Sequence, residues 1–159
     1  MPLGAMLWED QTKTITRRIT EVGEKGLVAE VDFDGECKGT GRMAGMVARF
    51  AGTDKYAWNP AVDDVITGTA QGQMTFRSGE IVLFKAVGIG NQVSFPAAAQ
   101  LNVLSLLNFI NPHPNLSWLR NTLVVWDARV DLKKRNSNRM GVRVDITETN
   151  YMNKPAFTG

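Results

Sequence analysis

Val65-Ile66-Thr67-Gly68-Thr69-Ala70-Gln71-Gly72-Gln73-Met74-Thr75-Phe76 is the stretch whose reading decides the fold. One parity of positions carries Ile66, Gly68, Ala70, Gly72, Met74 and Phe76; the other carries Val65, Thr67, Thr69, Gln71, Gln73 and Thr75. Small or apolar groups alternate with polar ones along the whole segment, which describes a long strand with one wet face. Glycines lower the strand propensity, so their presence argues for sharp coiling or close backbone approach. Long, coiled, glycine-notched strands are what a closed barrel requires.

Working outward, the same period recurs. Leu27, Ala29, Val31, Phe33 and Cys37 alternate with Glu30, Asp32, Asp34, Glu36 and Lys38. Val124, Trp126, Ala128, Val130 and Leu132 alternate with Asp127, Arg129 and Asp131, and Val142, Val144 and Ile146 with Arg143, Asp145 and Thr147. Each segment has one buried and one solvated face, as in antiparallel sheet. The run from Glu80 to Ile89 is apolar on both parities and reads as a more central strand. Arg77-Ser78-Gly79 reads as a hairpin turn with Gly79 at positive φ. Asn136-Ser137-Asn138 reads as the turn between the last two strands. Asp34-Gly35 reads as a turn or bulge, and Asn59-Pro60 opens a connection running through Asp63-Asp64. Pro96 to Ile110 places Ala97, Ala98, Leu101, Leu104, Leu107 and Ile110 at near-helical spacing, with Pro96 suited to a first turn. Asn115 is positioned to cap a short turn through Trp118. The expected fold is mainly β, a single antiparallel up-and-down barrel of about eight strands over residues 1–159, with one or two short helices.

A chain of 159 residues is long enough for a core without disulfides. Its 43% hydrophobic and 21% charged residues are ordinary for a globular protein. A net charge of +2 argues for neither nucleic acid nor an anionic membrane as partner. Lys133-Lys134-Arg135 reads as a solvated turn; Arg17-Arg18 and Arg139 are the other basic positions. The lone Cys37 allows no intrachain disulfide. The start, MPLGAMLWEDQ, lacks a basic then apolar leader, and Phe95 to Ile110 is too short and too interrupted to span a bilayer. The expectation is a soluble cytoplasmic protein.

No catalytic motif emerges. GTGRMAG has neither the dinucleotide nor the P-loop spacing, and strand-like residues follow it. His113, the only histidine, lies between Pro112 and Pro114 and reads as solvated. One histidine and one cysteine cannot assemble a His/Cys metal site, and no cofactor is expected. Charges on the strands, Arg18, Glu30, Asp32, Arg49 and Asp127 among them, share parity with polar neighbours and read as an outer face of cross-strand ion pairs. Lys85 is different: it shares parity with Ile81, Leu83, Val87 and Ile89, so it points either into the barrel, toward an anion, or out from an apolar surface. Four tryptophans and seven phenylalanines can wall a cavity or simply fill it.

Four segments carry a resemblance: GECKGTGRMAG, ITGTAQGQMTF, FRSGEIVLFKAVGIG and LSWLRNTLVVWDARVDL. In the last, Leu119 and Asn121 lead into a strand holding Trp126 and Asp127. Over roughly residues 26–148 the chain resembles a group of uncharacterised microbial proteins with an allene-oxide-cyclase-like barrel. That family's last strand ends in a Glu-Trp-Lys-like step, where this chain has Thr147-Glu148-Thr149. The resemblance implies an antiparallel barrel with a central apolar cavity, in a chain that can oligomerise, and transfers no cyclase residue.

The first functional reading is a barrel binding a small apolar or amphipathic molecule, with Phe84, Trp126, Lys85 and Met74 as ligand-binding residues. The second is a cyclase or isomerase, for which Glu30, Lys85, Asp127 and Glu148 are the groups to inspect. The third is an interaction protein that self-associates through Pro96 to Ile110.

Overall fold

A computed structural model describes residues 3–58, 65–94, 100–131 and 134–144. Among them eight strands follow one another: β1 (Leu3–Gly23), β2 (Gly26–Gly39), β3 (Val47–Trp58), β4 (Val65–Phe76), β5 (Ile81–Ser94), β6 (Gln100–Phe109), β7 (Leu123–Asp131) and β8 (Asn136–Val144). Each pairs antiparallel with the next, and β8 returns to β1, so the sheet closes into the expected up-and-down barrel. In β4 the predicted parity holds: Ile66, Ala70, Met74 and Phe76 are buried, while Val65, Thr67, Thr69, Gln71 and Gln73 face outward.

Several expectations change. The segment read as a helix is strand β6, at least from Gln100 onward; Pro96 to Ala99 lie outside the described residues. Its leucines occupy both faces: Leu101 and Leu107 inward, Leu104 and Leu106 outward. Three leucines spaced by three therefore mimic a helix stripe that the pairing with β5 and β7 overrides. Asn136-Ser137-Asn138 belong to β8, and the turn before them is Lys134-Arg135, where Arg135 takes φ 54°. Asp34-Gly35 form neither turn nor bulge but regular β2 ladder, paired with Lys13 and Thr12. The nearby register shift lies in β1 between Thr14 and Thr16, opposite Phe33 and Asp32. The short turn after β6 is a 3-10 segment, Pro114–Asn121, capped by His113 rather than Asn115: His113 Nδ1 accepts from the Asn115 N–H at 3.3 Å. The Asn59-Pro60 to Asp63-Asp64 connection, Leu132, Lys133 and Thr147-Glu148-Thr149 lie outside the described residues. The hairpin reading is right, with Gly79 at φ 100°.

Half of the interior is solid. Phe50 stacks on Phe84 at 4.9 Å between ring centroids. Trp126 meets both edge-on at 5.0 and 6.0 Å, and Phe33 lies 5.7 Å from Phe50. Edge-to-face and offset arrangements are what the ring quadrupoles favour. Gly52 and Gly72 face each other across β3 and β4 and leave room for these rings. A Cβ on Gly72 would stand 2.8 Å from Phe84 Cζ, and one on Gly52 2.9 Å from Phe33 Cζ. Below the plug, Met43 of the 3-10 turn Gly41–Met43 and Leu116 and Leu119 of the second 3-10 segment are fully buried.

The outer face is of two kinds. Over β1 to β3 it carries ion pairs, with Glu30 accepting from Arg18 at 2.6 and 2.8 Å and Arg49 paired with Asp34. Over β5 and β6 it is apolar.

Candidate functional site

The other half of the interior is a cavity of about 230 Å³. Because side chains alternate along each strand, its walls are the inward positions of seven strands. Val31, Ile66, Ala70, Leu101, Val103, Ala128 and Val130 make it apolar, and Phe33 and Trp126 form its floor. Gly68, Gly88 and Gly90 contribute volume by having no side chains; Gly68 and Gly88 pair directly. β1 and β3 supply a polar side: Thr12, Thr14 and Arg17 from one, Asp54 and Tyr56 from the other. Ser105 lies across from them on β6, and Arg135 reaches the cavity from the turn before β8, where its carbonyl accepts from the Thr14 N–H at 2.8 Å. The Arg17 guanidinium stands 6.0 Å from the centroid of the Tyr56 ring, at the outer limit of a cation–π contact. The Tyr56 hydroxyl is enclosed and makes no hydrogen bond among the described residues.

Beneath the floor a carboxylate is embedded among aromatics. Asp10 is 2% exposed and its Oδ2 accepts from Trp126 Nε1 at 2.9 Å and from Trp8 Nε1 at 3.2 Å. Two indole donors on one carboxylate oxygen fix the plane of Trp126 and so the shape of the cavity floor. Buried polar groups are tolerated when they are hydrogen-bonded in this way. Cys37, also buried, has its thiol pushed above the usual range by desolvation, with Asp10 and Glu36 adding to the effect. It is inert in the folded chain.

Of the four residues read as ligand-binding, the structure brings only Trp126 to the cavity. Phe84 and Met74 belong to the solid plug. Lys85 points away from the interior and is exposed, flanked on the outer face by Gln71 and Asn108. It goes outward because its β5 neighbours Phe84 and Ala86 fill the inward positions. The apolar residues sharing its parity are thus surface residues, and β5 is not a strand covered on both sides. Glu30 is tied to Arg18 on the outer face, Asp127 is exposed on β7, and Glu148 lies outside the described residues. Sequence reasoning passed over Asp54 and Tyr56, although a signal existed: in β3 they share parity with Ala48, Phe50 and Trp58. The charge of Asp54 hid the alternation.

No family model matches the chain, and no curated protein matches it by sequence. Solved structures do. A protein of unknown function from Clostridium acetobutylicum superposes with a TM-score of 0.74 at 12% identity, covering 89% of this chain and 98% of its own. A conserved protein of unknown function from Rhodopseudomonas palustris gives 0.70 at 18% identity, covering 88% and 95%. A protein from Acinetobacter baumannii described as β-barrel like gives 0.71 at 13% identity, covering 91% and 96%. At these identities the likeness shows the fold alone. The chain shares its barrel with uncharacterised bacterial proteins.

Proposed function

We propose that the protein binds a small amphipathic molecule inside the barrel. The observation that carries this is the two-sided cavity: aliphatic walls from β4 to β7 face a polar strip of Thr12, Thr14, Arg17, Asp54 and Tyr56. Cavities that bind organic ligands are mostly apolar with a few placed polar groups. Membership in the allene-oxide-cyclase-like group is part of this proposal, supported by the sequence segments that resemble it and by the shared barrel. The experiment is native mass spectrometry of freshly purified protein, followed by displacement of a hydrophobic fluorescent dye. Wild type is expected to carry a co-purified small molecule or to bind dye at one displaceable site. Ala128→Phe, which fills the cavity from β7, is expected to weaken dye binding at least roughly tenfold while the chain stays folded. Undiminished dye binding in that variant would place the site elsewhere.

A second reading, an isomerase or cyclase, is favoured by one observation: Asp54 puts a carboxyl group on the polar side of the cavity, facing its aliphatic walls, where it can transfer a proton to or from a bound molecule. Asp54→Asn distinguishes the two. Loss of turnover of a bound compound with binding retained supports the enzyme; a compound recovered chemically unchanged from both proteins supports binding alone.

A further inference from the structure

Around Leu106 the outer surface forms a grid whose rows are set by strand register. Val87 of β5, Leu106 of β6 and Val125 of β7 form one row. The next row holds Ile89, Leu104 and Asp127, and on the other side Lys85 stands beside Asn108. Leu83 lies beyond it, where its carbonyl accepts from the Ile110 N–H at 2.9 Å. These side chains are unusually open for their type: Val87 and Ile89 are 59% exposed, Leu104 51% and Leu106 44%. Contiguous apolar patches of this kind mark interaction surfaces, whereas single exposed hydrophobics do not. The open apolar side chains of β1, Ile15, Ile19 and Val22, are instead strung singly along one strand among Lys13, Thr16, Arg18 and Glu21, and β2 and β3 carry ion pairs.

Within these rows two charges stand at opposite corners, Lys85 and Asp127; Arg129 lies one row further along β7, beside Asn102. Lys85 is two strands and four residues along the ladder from Asp127, with Leu106 midway between them. From ordinary sheet spacings that diagonal is about 17 Å. A two-fold axis lying in the plane of the patch, through Leu106 and perpendicular to the diagonal, places each copy's Lys85 opposite the partner's Asp127. It also sets Leu106 against the partner's Leu106, in a near-orthogonal packing of the two sheets. We propose that the outer face of β5, β6 and β7, centred on Leu106 and flanked by Lys85 and Asp127, is the interface of a two-fold homodimer. The patch is self-complementary in the sense a two-fold interface demands, apolar at its centre and oppositely charged at its two ends. The partner is a second copy of this chain.

Light scattering and sedimentation over a dilution series test the proposal. Wild type is expected to be a concentration-dependent dimer. Leu106→Asp is expected to be a folded monomer. Lys85→Asp and Asp127→Lys, each alone, set like charges against one another and are expected to raise the dissociation constant roughly tenfold or more; the double exchange is expected to restore most of the loss. A wild-type monomer at every concentration overturns the interface, and so does a double exchange no tighter than either single one. If a charge variant fails to fold, mixing Lys85→Cys with Asp127→Cys decides the matter, since Cys37 is buried and does not compete. A disulfide formed between the two variants faster than within either alone supports the interface; none formed overturns it.

Discussion

Trp8 and Trp126 reach the same oxygen of Asp10 from strands β1 and β7, which ties the first strand of the barrel to the last but one. Removing that acceptor leaves two buried indole N–H groups with one partner fewer. Asp10→Ala is therefore expected to cost about 2–4 kcal/mol of folding stability. Asp10→Asn keeps a carbonyl acceptor in place and is expected to cost less than half as much. Urea unfolding followed by tryptophan fluorescence reads both, and equal losses in the two variants would mean the hydrogen bonds are not what holds Trp126. The identity of this carboxylate was legible in the chain; its burial was not. Asp10 stands among Glu9, Gln11 and Lys13, a run that reads as solvated, and only the closure of β8 onto β1 turns its face inward.

At the scale of the strands, two glycines show that the same residue type serves different ends. Gly72 is required by packing: an added methyl would crowd Gly52 Cα at 2.7 Å and the stacked Phe84 ring at 2.8 Å. Neither backbone nor a ring held by stacking can retreat, so Gly72→Ala is expected to destabilise by about 1–3 kcal/mol through overpacking. Gly79 has nothing within 4 Å of that position and is required by its φ of 100° instead. Gly79→Asn is expected to lose less than Gly79→Ala, since asparagine tolerates left-handed backbone better. Thermal unfolding of the three variants checks the ordering. The strand β4 was legible because its two parities differ sharply in polarity. The strand β6 was not, because leucines on both faces erase the alternation, and helix and strand periods then fit equally well.

For the molecule as a whole, three carboxylates among the described residues contribute to the response to acid. The Arg49 guanidinium holds Asp34 below the usual carboxylate range, hydroxyl hydrogen bonds from Thr16 and Thr53 do the same for Asp32, and the Ser78 hydroxyl, a backbone N–H and the Asn115 amide do so for Glu80. Groups whose folded values are depressed stabilise the fold above their unfolded values and lose that contribution as pH falls through the folded ones. The urea midpoint is thus expected to fall as pH drops below about 4. Asp34→Asn is expected to flatten part of that fall while costing at most about 1 kcal/mol at neutral pH, because the ion pair is solvent-exposed. A midpoint that rises in acid would contradict the assignment.

Alternation of polarity along the chain determined β2, β4 and β7 and pointed to an antiparallel barrel, because a strand's two faces are written in neighbouring residues. Tertiary structure alone decided which charges face inward, where the interior is solid and where it is hollow, and that Lys85 lies outside. Those depend on shear, on which rings meet across the barrel, and on how far the described residues leave the outer face of β5 and β6 open. Each is a relation between residues far apart in sequence, so no local pattern records it.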